Sequence, residues 1–274
     1  MKQVYRSTNA RLYGGNCVQV IQQKVRPASV DLVFADPPYF LSGKGKTTVR
    51  KNKRVENPIG KWDEAPSYKK QVAFHAAWLD SCVAIMRNTA SMFVTGTYHN
   101  IHIIGYLMPL VGLTIYNDIV WVKPNAPPNI AANRLQAAQE IILWAGLSDH
   151  MNQVKFNYNE LRKNQWRGDP FSRAGRQAKS VWQVPVPEKD ELRYGRYPTQ
   201  KPEELLRRII LGWTDPSDLV LDPFHGSGTS GAVAVREKRR YIGIDKSRTA
   251  SNIAVKRVMD EEQIAGNLGG HERI

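Results

Sequence analysis

Two apolar runs with the same ending constrain this chain more than anything else in it. Val30-Asp31-Leu32-Val33-Phe34-Ala35 runs into Asp36-Pro37-Pro38-Tyr39, and Asp218-Leu219-Val220-Leu221 runs into Asp222-Pro223-Phe224-His225. Short apolar runs bounded by turn residues read as buried strands. A third run, Arg240-Tyr241-Ile242-Gly243-Ile244-Asp245, follows at the spacing of one intervening helix. Strands alternating with helices imply an α/β fold with a doubly wound, mostly parallel sheet. In such a sheet, ligands bind outside the carboxyl ends of the strands.

The rest of the chain supplies the helices and further strands. Residues 11–17 read as a strand and turn, with a helix starting at Val18. Residues 41–66, rich in Gly, Lys, Arg and Asn, read as a loop. A helix is expected over 68–87, with Val72, Ala76, Leu79, Val83 and Met86 on its apolar face. Residues 91–97, 117–123 and 140–145 read as strands and 99–110 as a helix. From 146 to 197 the chain is polar, basic and without period, which predicts an irregular lobe. Pro202-Glu203-Glu204 opens a helix, since proline suits the first turn and the acids complement its dipole. Leu205, Leu206, Ile209, Ile210 and Trp213 form its core face. Helices over 229–236 and 249–259 complete the pattern, and the glycines after Ala265 predict a frayed tail.

The charge points to a partner. The 274 residues carry a net charge of +14, with a pI near 9.8, which favours a polyanion such as DNA or RNA. The cations are clustered: Lys44, Lys46, Arg50, Lys51, Lys53 and Arg54 form one group, and Arg162, Lys163, Arg167, Arg173, Arg176 and Lys179 a second. No apolar run reaches the length of a membrane span, and no apolar segment follows Met1 to Arg6. The expected location is therefore cytoplasmic, with no membrane partner. Cys17 and Cys82 make no disulfide framework, and the scattered histidines show no metal-site spacing.

The second turn reads as a nucleoside site. In Asp222-Pro223-Phe224-His225-Gly226-Ser227-Gly228-Thr229 the glycines let the backbone pass close to a ligand, and the helix that follows offers free N–H groups. Asp245 ends the next strand nineteen residues after Gly226, where a carboxylate suits ribose hydroxyls. Gly226, Gly228 and Gly231 also satisfy the Gly-x-Gly-x-x-Gly of nicotinamide enzymes, but that reading leaves Asp36 to Tyr39 without a task. The first turn sets a carboxylate, a rigid diproline and an aromatic ring together. That set suits gripping a planar base by its exocyclic amino group.

These residues resemble those of the β-group DNA amino-methyltransferases, most closely adenine-N6 methyltransferases of restriction–modification type. The likeness runs through Asp36 to Tyr39, Trp121-Val122-Lys123-Pro124-Asn125, Phe156-Asn157-Tyr158, Thr199-Gln200-Lys201-Pro202, Asp222 to Thr229 and Ile242 to Asp245, with the catalytic motif before the cofactor motif. The resemblance implies a Rossmann-like sheet, with residues 1–128 as the catalytic half, 129–196 as an inserted target-recognition region and 197–274 as the cofactor half. It implies S-adenosylmethionine as cofactor, lined by Phe224, Gly226, Ser227, Gly228 and Thr229. Asp222 would lie by the methionine part, Thr199 and Lys201 by its carboxylate, and Asp245 by the ribose. Gly14-Gly15-Asn16-Cys17 resembles the Gly-Asp-Cys segment that approaches the cofactor adenine, with Asn16 in place of Asp.

It further implies a flipped base held by the tetrapeptide Asp36-Pro37-Pro38-Tyr39. Asp36 and the Pro37 carbonyl would accept its amino hydrogens while Tyr39 stacks on the ring. Double-stranded DNA is the implied partner, with a homodimer and a cognate restriction endonuclease as family habits. A cytosine-N4 enzyme is the nearest alternative, although those more often carry Ser at the position of Asp36. A basic DNA-binding protein without catalysis is an alternative of another class. Neither cysteine follows a proline, which speaks against the covalent chemistry of cytosine-C5 enzymes.

Overall fold

A computed structural model describes residues 1–40, 47–50, 53–56, 66–129, 133, 135–147, 153–163, 166 and 168–270. In chain order the strands are β1 (Lys2–Arg6), β2 (Ala10–Gly14), β3 (Val30–Ala35), β4 (Thr47–Arg50), β5 (Lys53–Glu56), β6 (Met86–Gly96), β7 (Leu113–Val122), β8 (Gln139–Leu147), β9 (Val181–Gln183), β10 (Leu219–Asp222) and β11 (Arg240–Asp245). The helices are α1 (Cys17–Lys24), α2 (Tyr68–Val83), α3 (Ile101–Leu110), α4 (Tyr158–Lys163), α5 (Glu203–Trp213), α6 (Thr229–Arg236) and α7 (Arg248–Gly270).

Nine of these strands form one sheet in the order β1-β2-β11-β10-β3-β6-β8-β7-β9. The run from β2 to β6 is parallel throughout, and β8 pairs antiparallel with both β6 and β7. Period-two alternation splits β3 between two cores. Val33 and Ala35 pack under α1, α2 and α3, and Leu32 and Phe34 under α5, α6 and α7. The sheet is thus doubly wound and mostly parallel, as its apolar runs predict.

The chain leaves β3 through α2 to β6 on one side and leaves β10 through α6 to β11 on the other. The winding therefore reverses between the neighbours β3 and β10. That switch point is where an open α/β sheet leaves a crevice for a ligand. Asp36 and Asp222 stand on its two sides.

Several expectations give way to tertiary pairing. The predicted loop at 41–66 contains an antiparallel hairpin, in which Thr47 faces Glu56 and Arg50 faces Lys53. The helix predicted to reach residue 87 ends at Val83, because Met86 pairs with Val30 and joins β6 instead. Its buried face is His75, Trp78, Leu79 and Cys82, while Val72, Ala76 and Val83 are only partly covered. Residues 139–147, inside the expected recognition insert, are β8, a strand between β6 and β7. The 146–197 stretch also holds α4 and β9, and β9 lies parallel to β7 at the sheet edge. The tail expected to fray continues α7 to Gly270. Among the described residues no helix is long and apolar enough to cross a membrane, and no cluster of His, Cys, Asp and Glu is built to hold a metal.

Candidate active site

The switch point opens into a cavity of about 530 Å³, within the usual range for small-molecule sites. Asp36, Pro37, Pro38, Tyr39, Cys17, Thr199, Lys201, Asp222, Phe224, Gly226, Ser227, Thr229 and Asp245 all line it. Parts of the chain more than two hundred residues apart are therefore brought together. Asn16 and Gly228 lie outside the lining.

Gly228 shapes the turn without facing the cavity. Its φ is +77°, and a Cβ there would stand 2.6 Å from the Ala254 Cβ and 2.7 Å from its Cα. Only glycine lets α6 begin so close to α7. Asn16 has a different task from the one its motif predicts. Its Oδ1 accepts from the N–H groups of Val18, at 3.0 Å, and Gln19, at 3.4 Å, which caps α1. Gly15 and Cys17 line the cavity in its place. Burial pushes the Cys17 thiol up to about 11, so it stays neutral.

On the β10 side, the Asp222 carboxylate accepts from Phe224 N at 2.9 Å and from Ser230 Oγ at 2.5 Å. Burial, with Asp36 and Asp245 nearby, raises its pKa to about 7. Asp245 accepts from Gly226 N at 3.0 Å through one oxygen and from Ser247 N at 2.6 Å through the other. Each of those oxygens keeps a lone pair for a hydroxyl.

His225 is buried, and its Nδ1 lies 2.9 Å from the Gly226 carbonyl, so that nitrogen carries the hydrogen. Its Nε2 and the Gln200 Oε1 are buried without a hydrogen-bond partner among the described residues, and both residues line the cavity. Unpaired buried acceptors are uncommon in folded proteins.

On the β3 side, Asp36 is gripped from three directions. Its Oδ1 accepts from Thr95 Oγ1 at 2.5 Å and lies 2.8 Å from the Tyr39 hydroxyl. Its Oδ2 accepts from Lys201 Nζ at 2.6 Å. Thr95 stands there because its neighbour Val94 pairs with Ala35, the residue before Asp36. Glu140, at the start of β8, closes the network. Its Oε2 lies 2.8 Å from the Tyr39 hydroxyl and 3.7 Å from Lys201 Nζ, and its Oε1 accepts from Lys123 Nζ at 3.0 Å. Burial opposes a charge on Glu140, yet the ammoniums of Lys201 and Lys123 hold its carboxyl below the usual range. Burial likewise disfavours the Lys201 ammonium, but Asp36 and Glu140 hold its pKa above normal. Burial and the two carboxylates push the Tyr39 phenol far up, so it stays a donor.

Sequence reasoning misses Thr95 and Glu140, because pairing between strands distant in sequence creates their roles. It also misses the aromatic wall of Phe40, Phe74 and Tyr197. Trp121 is structural: it is buried and donates to the Val184 carbonyl at 2.7 Å.

The basic residues are less gathered. Lys44, Lys46, Lys51 and Arg167 lie outside the described residues. Arg50, Lys53 and Arg54 fall on the β4–β5 hairpin. Arg162 donates to the Gly175 carbonyl at 2.8 Å and stacks on Tyr158, and Lys163 pairs with Glu160 at 3.0 Å. Arg173 and Arg176 are exposed.

Comparison with known proteins gives this cavity a context. A family model described as DNA methylase matches residues 30–256. The type II methyltransferase M2.LlaDCHI of Lactococcus lactis subsp. cremoris is 37% identical over 257 residues, which cover 94% of this chain and 92% of that protein. The M1.HpyAVI–SAM complex matches with a TM-score of 0.64 at 22% identity, covering 91% of this chain and 98% of that one. The PvuII DNA methyltransferase, described as cytosine-N4-specific, matches with a TM-score of 0.71 at 19% identity, covering 97% and 93%. At these identities the two solved structures bear on the fold alone.

Proposed function

This chain belongs to the DNA methylase family and is an S-adenosylmethionine-dependent DNA methyltransferase, and we propose that it methylates the N6 amino group of adenine at a specific site in double-stranded DNA. The observation that carries the reading is the hold on Asp36. A carboxylate offers about four acceptor positions; Thr95 and Lys201 occupy two, and the Tyr39 hydroxyl, which shares its one hydrogen between Asp36 and Glu140, reaches a third. One position remains, on Oδ2, at the cavity wall.

That position takes one hydrogen of the adenine amino group, and the Pro37 carbonyl takes the other. Held so, the two N–H bonds turn out of conjugation with the ring and the nitrogen lone pair becomes available. Tyr39 supports the base with its ring. Such groups act by position and fixed charge, with no covalent enzyme intermediate. When bound, S-adenosylmethionine supplies an electrophilic methyl on a sulfonium centre. The turn from Phe224 to Thr229 would hold it, Asp245 would take its ribose hydroxyls and Asp222 would meet its cationic methionine end. Lys201 leaves the cofactor role that its motif implies, since Asp36 and Glu140 already claim its ammonium.

The base reaches this depth by flipping out of the duplex. The β4–β5 hairpin and residues 148–196, apart from β9, serve as the DNA-facing parts, narrowed from 129–196 because β8 belongs to the sheet. A homodimer and a cognate restriction endonuclease belong to the same reading, as does a cytoplasmic location. The test is to express the protein in a host free of DNA methylation and map modified bases in the genome. N6-methyladenine at one sequence, lost in Asp36→Ala, supports the proposal. N4-methylcytosine would replace adenine with the nearest alternative.

A further inference from the structure

Glu140 is buried, charged and outside the amino-group chemistry just described. It lies two residues from Ile142, which packs in the core under α5. Side chains two apart on a strand share a face, so Glu140 is on the side where Lys201 precedes α5. Two carboxylates, Asp36 and Glu140, and two ammoniums, Lys201 and Lys123, then make a balanced, largely buried quartet, with the Tyr39 hydroxyl between the acids.

We propose that Glu140 is a positioning residue for methyl transfer, which divides Lys201 and the Tyr39 hydroxyl between itself and Asp36 and so keeps one acceptor position of Asp36 open to the base. This rests on the reading of Asp36 as the amino-group acceptor. Lys201 has three hydrogens to donate, and three acceptors surround it: Asp36 Oδ2 at 2.6 Å, the Thr199 carbonyl at 3.3 Å and Glu140 Oε2 at 3.7 Å. Without the Glu140 charge, the single Tyr39 hydrogen goes to Asp36 Oδ1 and the Lys201 ammonium is drawn to Asp36 alone. The ammonium, no longer drawn towards Glu140, then centres on the carboxylate that should meet the amino group and competes with it for the open position on Oδ2. Lys123 holds the far oxygen of Glu140 and keeps its near oxygen aimed at the pair. A purely architectural Glu140 would matter for folding and leave the chemical step intact.

The test uses the full chain, unmethylated genomic DNA and radiolabelled S-adenosylmethionine. Glu140→Gln should lower the single-turnover rate on the order of 100-fold, as a small displacement of a reacting group does. Cofactor affinity and the KM for DNA should be unchanged, and Glu140→Asp should recover part of the rate. Glu140→Gln leaves Lys123 unpaired and risks misfolding, so Glu140→Gln/Lys123→Gln, which restores charge balance, is the second variant. It should fold and remain slow. A wild-type single-turnover rate in either variant, or a rate loss matched by loss of cofactor affinity, overturns the proposal. Asp36→Ala separates the two layers. If it too keeps its rate, the amino-group reading fails; if it is inactive while Glu140→Gln is normal, only the role of Glu140 falls.

Discussion

Two aspartates begin Asp-Pro turns on neighbouring parallel strands, and the protein treats them in opposite ways. Asp36 leaves β3 into the grip of an ammonium and two hydroxyls. Asp222 leaves β10 into a site where one backbone N–H and one serine hydroxyl are its partners, and burial lifts it to about 7. The dipeptide is the same, but the distant strands and helices packed around it differ. One carboxylate is fixed as an acceptor before any substrate arrives. The other half-waits for a cation. On the proposed reading, this is the division between a group that aligns a neutral base and one that receives a charged cofactor.

The sharpest way to break the contrast is to delete the acceptor. Asp36→Ala should reduce turnover about 10³-fold, the cost of removing a pre-organised polar group from a reacting centre, while calorimetry finds cofactor affinity retained. Loss of both together would mean that the two turns are not functionally separate. Next comes the β10 turn. Gly228→Ala forces a Cβ onto Ala254 at a positive φ and should cost about 3 kcal/mol. That corresponds to a melting temperature lower by roughly 6–12 °C. An unchanged melting curve would refute the close approach of α6 and α7.

The third prediction concerns pH. Asp222 titrates near 7 in the folded protein against 3.8 as its ordinary value. A raised carboxyl favours the fold at low pH, and that contribution fades as pH rises through about 7. Binding of a cationic cofactor should show the reverse, with affinity rising about tenfold between pH 6 and pH 8 as Asp222 ionises. Titration calorimetry in buffers of different ionisation heat should detect the released proton, and Asp222→Asn should flatten the profile. A flat profile in the unaltered protein would place the cation elsewhere. The smallest effect marks the border of the cofactor side. Asn16→Ala removes the α1 cap and should cost about 1 kcal/mol with little change in cofactor affinity. A large loss of affinity would return Asn16 to the cavity.

What the sequence reveals follows from locality. Each aspartate, with its proline and its strand, is a continuous segment, so both turns and their place at strand ends are legible. The same holds for α5 and α6, whose starts carry their own signals in Glu203, Glu204 and the Gly-rich turn. Glu140 and Thr95 are not legible, because no local pattern says that β8 and β6 will carry them to Asp36. Lys201 is visible as part of a motif, yet its partner lies 165 residues away, and the motif alone does not point to Asp36. The end of α2 fails for the same reason: Met86 fits the helical stripe but gains a strand partner in Val30. β1 is short and mostly exposed at the sheet edge, and it gives no alternation to read.

One buried pair matters to anyone who would exchange the proposed recognition segment between relatives. Arg208 of α5 is 1% exposed, pairs with Asp169 and lies against the rings of Trp166 and Trp182. Three of those four residues sit in the stretch that a chimaera would replace. A transplanted segment lacking an acid at that place leaves the buried guanidinium only the longer contact to Glu204 on its own helix, at 3.5 Å, a loss of up to about 3–5 kcal/mol. The graft would fail for want of an anchor even if its DNA-facing surface were perfect. The interchangeable cassette therefore includes Arg208, and a workable exchange moves that arginine with its aspartate or keeps both.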